Sequence, residues 1–276
     1  MTKTQNMADK KRILFISQEL SPYLTGTSRA KETKELAEKF QRNKSEVRIF
    51  LPRYGAVNER RNQLHEVIRL SGVNIPISDA DHPLIIKVAS LQPQRIQVYF
   101  IDNDDYFDRS EEDADDLGSN RANNDERMIF FVHGTIETAR KLRWDPDVIR
   151  VSGWMSALAP VYIRKVFSDE PSFKKSKIVY VIDDSSFAAP LDPKFPDKLK
   201  AEGIREHEVK PMRAGDIDVN RLHAIGIKHA DAVIVETPDL APELLETLQK
   251  GKKPWLPYEK ATEESGEALM EFYNSL

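Results

Sequence analysis

The opening segment constrains this chain most. Ile13-Leu14-Phe15-Ile16-Ser17 is a short apolar run entered from Lys11-Arg12. A run without polar alternation suits a strand buried on both faces, as in a parallel sheet. Ala30, Thr33, Ala37 and Phe40 then recur at spacings of three and four, with Lys and Glu between them, which is an amphipathic helix with one apolar stripe. Val47 to Leu51 reads as the next strand. Strand–helix–strand at this length is a βαβ unit and commits the chain to a layered α/β sheet.

Beyond this unit the pattern changes. Val67-Ile68, Val73 to Ile77, Leu84 to Val88 and Ile96 to Ile101 are β-like runs separated by Gly, Pro, Asp and Asn, read as antiparallel strands or extensions of the parallel core. Asp102 to Asp116 is acidic and is expected as an exposed loop. Met128, Val132, Ile136 and Ala139 mark a long helix. Val148 to Val151 is a strand, Ala157 to Val166 a helix and Ile178 to Ile182 a strand. Asp183 to Gly215 reads as an irregular excursion, with Glu206-His207-Glu208 solvated in it. Val219 to Ala230 is a helix, Ala232 to Val235 a strand, and Pro238 to Gln249 and Thr262 to Tyr273 are further helices.

The expected architecture is a single Rossmann-like α/β domain with a mainly parallel sheet. Residues 12–250 form that domain, 1–11 a disordered N-terminal segment, and 251–276 a C-terminal tail and helix. The tail carries Pro254-Trp255-Leu256-Pro257 and an apolar set, Leu269, Phe272, Tyr273 and Leu276, at helical spacing. It either folds over the domain's ligand-binding edge, docks on a second copy, or finishes the core.

Composition removes several function classes. The 276 residues include no cysteine, which excludes disulfides, zinc–thiolate sites, iron–sulfur clusters and thiol catalysis, and suits a cytoplasmic setting. No stretch is apolar and long enough to span a membrane, and Met1 to Lys11 lack a signal-peptide core. A net charge of −4 with mixed signs gives no nucleic-acid footprint. Gly-x-Ser-x-Gly, His-Glu-x-x-His, Walker and Gly-x-Gly-x-x-Gly motifs are all absent. His223 and His229 are six apart and do not share a helix face. No cofactor and no metal are expected.

Several segments, taken in order, resemble the bacterial glycogen and starch synthases. Gln18-Glu19-Leu20-Ser21-Pro22-Tyr23 follows the first strand as in that family, and Arg48 to Gly55 (Arg-Ile-Phe-Leu-Pro-Arg-Tyr-Gly) is similar to its second-strand signature. Val98-Tyr99-Phe100-Ile101-Asp102, Tyr106-Phe107-Asp108-Arg109 and Trp144-Asp145-Pro146-Asp147-Val148-Ile149 add further matches. The resemblance covers roughly Arg12 to Leu245. It implies the N-terminal half of a GT-B glycosyltransferase, an enzyme with two Rossmann-like domains facing a cleft. The implied family activity is retaining transfer of glucose from ADP-glucose to an α-1,4-glucan.

The motifs that the resemblance places at the cleft depart from the family pattern. The family's Lys-Thr-Gly-Gly aligns with Leu24-Thr25-Gly26-Thr27, which loses a point charge for phosphates and gains an apolar rim residue. Arg29 lies one turn later and can supply charge; the plainer role of Thr27 or Ser28 is a helix N-cap. Asp-Asn-x-x-Arg-Phe aligns with Asn123-Asn124-Asp125-Glu126-Arg127-Met128, where Arg127 either binds a ligand or lies in solvent. His-Asp-Trp aligns with Ser152-Gly153-Trp154; Trp154 either stacks on a sugar or anchors the core. His-Asn aligns with Asp183-Asp184, a pair that either binds a metal or cation, or forms an Asx turn. Asp102-Asn103-Asp104 imitates an Asp-x-Asp metal motif but is expected as solvated loop.

The leading expectation is therefore a synthase-like domain without catalysis, acting through a saccharide such as α-glucan, a protein partner or a homo-oligomer. The alternative is a glucosyltransferase active only when a partner chain supplies the second domain. A third reading reuses Asp183 and Asp184 for different chemistry.

Overall fold

A computed structural model describes residues 10–188 and 190–276; most of the segment expected to be disordered, 1–11, lies outside these. Strands are β1 (Arg12–Ser17), β2 (Glu46–Pro52), β3 (His65–Glu66), β4 (Val73–Ile77), β5 (Ala80–Leu91), β6 (Ile96–Asp102), β7 (Val148–Ser152), β8 (Lys177–Ile182), β9 (Ala232–Val235) and β10 (Trp255–Leu256). The main helices are α1 (Ser28–Arg42), α2 (Asn124–Lys141), α3 (Phe195–Ala201), α4 (Val219–His229), α5 (Pro242–Lys250) and α6 (Glu267–Ser275).

The strand order is β10-β9-β8-β7-β1-β2-β6-β5-β3, with β4 paired to β5. From β10 to β6 every pairing is parallel; β5 is antiparallel to β6, β4 and β3. β1 lies inside the sheet, Ile13 opposite Val47 on one side and Val148 on the other. Its residues from Ile13 to Ser17 are all buried, as the unbroken apolar run requires. The five strands expected to share one sheet do so.

Helix α1 buries Ala30, Thr33, Leu36, Ala37 and Phe40, the stripe read from the sequence plus Leu36. Helix α2 is buried nearly all round. A Cβ on its Gly134 would stand 2.8 Å from Leu84 Cδ1, so the missing side chain lets β5 approach.

Several expectations need correction. The Asp102–Asp116 stretch is not a simple exposed loop. Asp102 ends β6 buried between Arg53 (2.7 Å) and Lys87 (2.8 Å), and Tyr106 and Phe107 are buried in a helical turn, Asp104–Phe107. Fixed cations make that burial of charge tolerable. Glu208 is likewise buried, ringed by Lys165, Lys228 and His229. The run at Val67-Ile68 gives way to a strand at His65–Glu66, leaving Ile68 82% exposed. Ala157–Val166 is one α-turn (Ala159–Val161), with Pro160 tolerated in its first turn, followed by a π-turn (Tyr162–Val166). The Asp183–Gly215 excursion contains α3, with Phe195 and Leu199 in the core. The helix expected from Pro238 begins at Pro242. The last helix begins at Glu267, after Gly266 at φ +60°.

The tail returns onto the sheet. Trp255 and Leu256 pair with Val233 and Ile234. In α6, Tyr273 meets Phe40 of α1 edge-on at 5.0 Å, and Lys11 Nζ donates to its carbonyl at 2.6 Å.

Candidate functional site

The carboxyl ends of parallel strands gather the chain's polar groups, the edge where open α/β sheets hold ligands. Ser17 and Ser152, last in neighbouring strands, share a hydrogen bond of 3.0 Å between their hydroxyls. Gly153 follows at φ +85°, and a Cβ there would stand 2.5 Å from Gln18. Only glycine fits that turn. Its N–H donates to Asp183 Oδ2 at 2.9 Å, while Asp183 Oδ1 accepts from the Ser185 N–H at 3.0 Å. Asp183 is thus the Asx turn of the sequence reading, buried and fully engaged.

Arg29, in the first turn of α1, faces this edge. Its guanidinium lies 3.6 Å from Glu19, 3.5 Å from Asp183 and in contact with Asp184. Glu19 is buried and also accepts from Gln18 (3.0 Å) and from Thr27. One strand over, Arg150 Nη2 contacts both oxygens of Glu236, at 2.8 and 2.9 Å. Burial weakens the hold of Arg150 on its proton, but Glu236 outweighs this and keeps the charge firmly in place. Arg150 Nε and Nη1, and the Tyr273 hydroxyl, have no hydrogen-bond partner among the described residues.

Two cavities flank Asp183-Asp184. A groove of about 850 Å³ between α1 and the tail is lined by Arg29, Arg150, Ser152, Asp184, Glu236 and Tyr258. A pocket of about 290 Å³ on the other side is lined by Asp183, Ser185, Asn220, His223, Thr237 and Asp239. Burial lowers the His223 pKa, opposed by Asp183 and Asp218, and its Nδ1 meets the Tyr180 hydroxyl at 2.9 Å. A neutral imidazole and uncharged hydroxyl and amide groups suit a hydroxylated neutral ligand.

The candidate residues separate into two groups. Ser152, Gly153, Asp183 and Asp184 stand at the strand ends beside Thr27, which caps α1 by accepting from the Ala30 N–H at 3.2 Å. Thr25 and Gly26 are exposed in the preceding loop, and a Cβ on Gly26 would meet only Asp116, at 3.9 Å. That loop has no close backbone approach demanding glycine. Leu24 is buried, 6% exposed, so it forms no apolar rim. Its main chain turns back on Leu20, donating to that carbonyl at 3.0 Å, which carries the side chain inward.

The second group lines neither cavity. Trp154 is fully buried, edge-on to Phe187 at 5.4 Å, and offers no ring face to a sugar. Arg127 is not in solvent. It is buried and donates to the carbonyls of Tyr106 (2.8 Å), Leu117 (2.8 Å) and Gly118 (3.0 Å) and to Asn124 Oδ1 (2.6 Å). Burial pushes its pKa down to about 10. Asn123 precedes α2, its carbonyl accepting from the Arg127 N–H at 3.0 Å. The Asn-Asn-x-x-Arg segment therefore clamps the acidic stretch. Among the described residues, no group of three or more His, Asp or Glu is placed to hold a metal ion.

Sequence reasoning passed over Glu19, Arg150 and Glu236. Arg150 carried a signal: a charge inside Val148-Ile149-Arg150-Val151-Ser152 must find a partner once the strand is buried.

The starch synthase catalytic domain model matches residues 12–255. The glycogen synthases of Chlorobaculum parvum and Chlorobaculum tepidum are each 33% identical, over 84% and 85% of this chain. Each alignment covers 47% of the relative, so the chain spans about half the length of these curated proteins. The catalytic domain of Starch Synthase IV from Arabidopsis thaliana, bound to ADP and acarbose, shares the fold. Its TM-score is 0.72 at 15% identity, over 91% of this chain and 53% of that one. Fold and family match together define a Rossmann-like domain of the glycosyltransferase type, matching half of a GT-B enzyme. The chain belongs to the starch synthase catalytic domain family.

Proposed function

We propose that this chain is a glycogen/starch synthase-like domain that does not itself transfer glucose and binds a neutral saccharide, an α-glucan, along its strand ends. The observation that supports this most is the state of Arg29. Transfer from a sugar nucleotide needs cations free to meet phosphates and developing charge. Arg29, the cation beside the altered Leu24–Thr27 loop, is held by Glu19, Asp183 and Asp184. Four carboxylates, counting Glu236, stand there against Arg29 and Arg150, a field that repels a diphosphate. Carboxylates, hydroxyls and neutral His223 are ordinary partners for sugar hydroxyls.

The test has two arms. Incubation with radiolabelled ADP-glucose or UDP-glucose and glycogen is expected to give no incorporation above a no-protein control; clear incorporation sinks the reading. In native gels containing glycogen, the chain is expected to be retarded, and Asn220→Ala to be retarded less. An unretarded chain removes the saccharide and leaves a protein partner as occupant.

A second reading is favoured by the 33% identity to glycogen synthases over most of this chain: a transferase completed by a chain supplying the other half. Incorporation appearing only on addition of such a chain would establish it.

A further inference from the structure

Helices α4 and α5 pack against each other, and the turn at Pro211-Met212 closes a third side of the groove between them. The groove measures about 500 Å³ and shares no lining residue with the two cavities at the strand ends. That is within the usual range of small-molecule sites, about 300–1,000 Å³. Met212, Ile225 and Leu248, each under 5% exposed, with Ala224, give it apolar walls.

Its rim is charged with one dominant sign. Arg221, Lys228, Lys252 and Lys253 line it against a single carboxylate, Glu208. Glu208 is already engaged by Lys165, Lys228 and His229. Arg221 fixes the wall by donating to the carbonyls of Pro211 (2.6 Å) and Ala214 (2.5 Å). Lys253 Nζ donates to the last carbonyls of α4, Ile227 and Lys228, at 2.6 Å each. Lys252 is exposed and makes no ion pair among the described residues.

We propose that this groove binds a single apolar chain ending in a carboxylate, a ligand of the fatty-acid class, with its alkyl part between α4 and α5 and its head group at Lys252 and Lys253. The apolar walls exclude a polyol, the cationic rim selects an anion, and the volume fits one chain. A protein interface needs roughly 800 Å² per partner, more than one such groove offers.

Calorimetric titration of the full chain with dodecanoate, below its micelle concentration, tests the proposal. One saturable site is expected. Ala224→Trp and, independently, Thr247→Trp fill the groove from exposed positions and are expected to weaken binding at least tenfold with an unchanged circular dichroism spectrum. Lys252→Glu is expected to weaken it about fivefold, and dodecyltrimethylammonium to bind at least tenfold more weakly than dodecanoate. Absence of saturable binding, equal affinity for the cationic amphiphile, or indifference to both tryptophans overturns the proposal. Dodecyl phosphate binding tenfold more tightly overturns the carboxylate assignment. A dimer in sedimentation that Thr247→Trp dissociates, with no dodecanoate uptake, assigns the groove to a second copy instead.

Discussion

Arg150 interrupts an apolar strand and makes its ion pair with Glu236, which lies just beyond β9. Arg150 is 3% exposed, so its charge depends chiefly on that carboxylate, with Asp183 adding to it. Removing one partner of a buried pair costs about 3–5 kcal/mol, whereas replacing both by apolar groups of similar volume is often neutral. Glu236→Ala is therefore expected to destabilise by about 3 kcal/mol in urea unfolding. The double variant Arg150→Met, Glu236→Met is expected to recover most of that loss. Single and double variants equally unstable would show that packing, not the charge, holds this position. The charge was visible in the sequence; its partner, 86 residues away, was not.

Periodicity made α1 readable because it buries one repeating face, and the core strands were readable as unbroken apolar runs because they are buried on both faces. It failed where long-range contacts decide the element. The Ala157–Val166 segment is buried through Ile163, so no polar face marks its phase, and its α-turn gives way to a π-turn. The tail was ambiguous for the same reason: an apolar stripe says that something is covered, not what. In the fold, β10 extends the parallel edge and Tyr273 covers Phe40. A chain ending at Gly251 loses both contacts and exposes β9 as an edge. Burying large side chains contributes about 1.5–3 kcal/mol each, and 1 kcal/mol shifts the midpoint of a domain this size by about 2–4 °C. The shortened chain is expected to melt about 10 °C lower and to associate through the new edge, read by thermal scanning and size exclusion. An unchanged midpoint and an unchanged elution volume would show that the tail closes nothing important.

Across the whole molecule, the excursion between β8 and α4 is tied down through Glu208, and that tie responds to acid. Burial lowers the His229 imidazole to about 4, outweighing the attraction of Glu208. Unfolded, an imidazole titrates near 6.5. Between these values the unfolded chain binds a proton that the folded chain does not, so stability falls as pH drops from about 6.5 to about 4. Glu208 adds loss at lower pH: burial raises its pKa, but Lys228 and Lys165 outweigh this and hold it at about 2. Its stabilisation is present above the ordinary carboxylate range and is lost as pH falls toward 2. His229→Gln is expected to remove roughly 1–3 kcal/mol of the loss between pH 6.5 and 4, measured by denaturation at both pH values. An unaltered pH slope would place the sensitivity elsewhere.

The sequence by itself determined the layered α/β sheet, the order of its central strands along the chain and the family resemblance. Those properties reside in contiguous segments: an apolar run, a stripe at helical spacing, or a motif of six or eight neighbouring residues. Only the tertiary structure decided which charges meet. Arg29 finds Glu19, Asp183 and Asp184 because β1 and β8 end on the same edge of one sheet, with β7 between them. Arg127 turns into a clamp because the acidic stretch folds over the start of α2 and presents its carbonyls. Electrostatic partners are set by strand order and burial, and neither is a property of neighbouring residues in the chain.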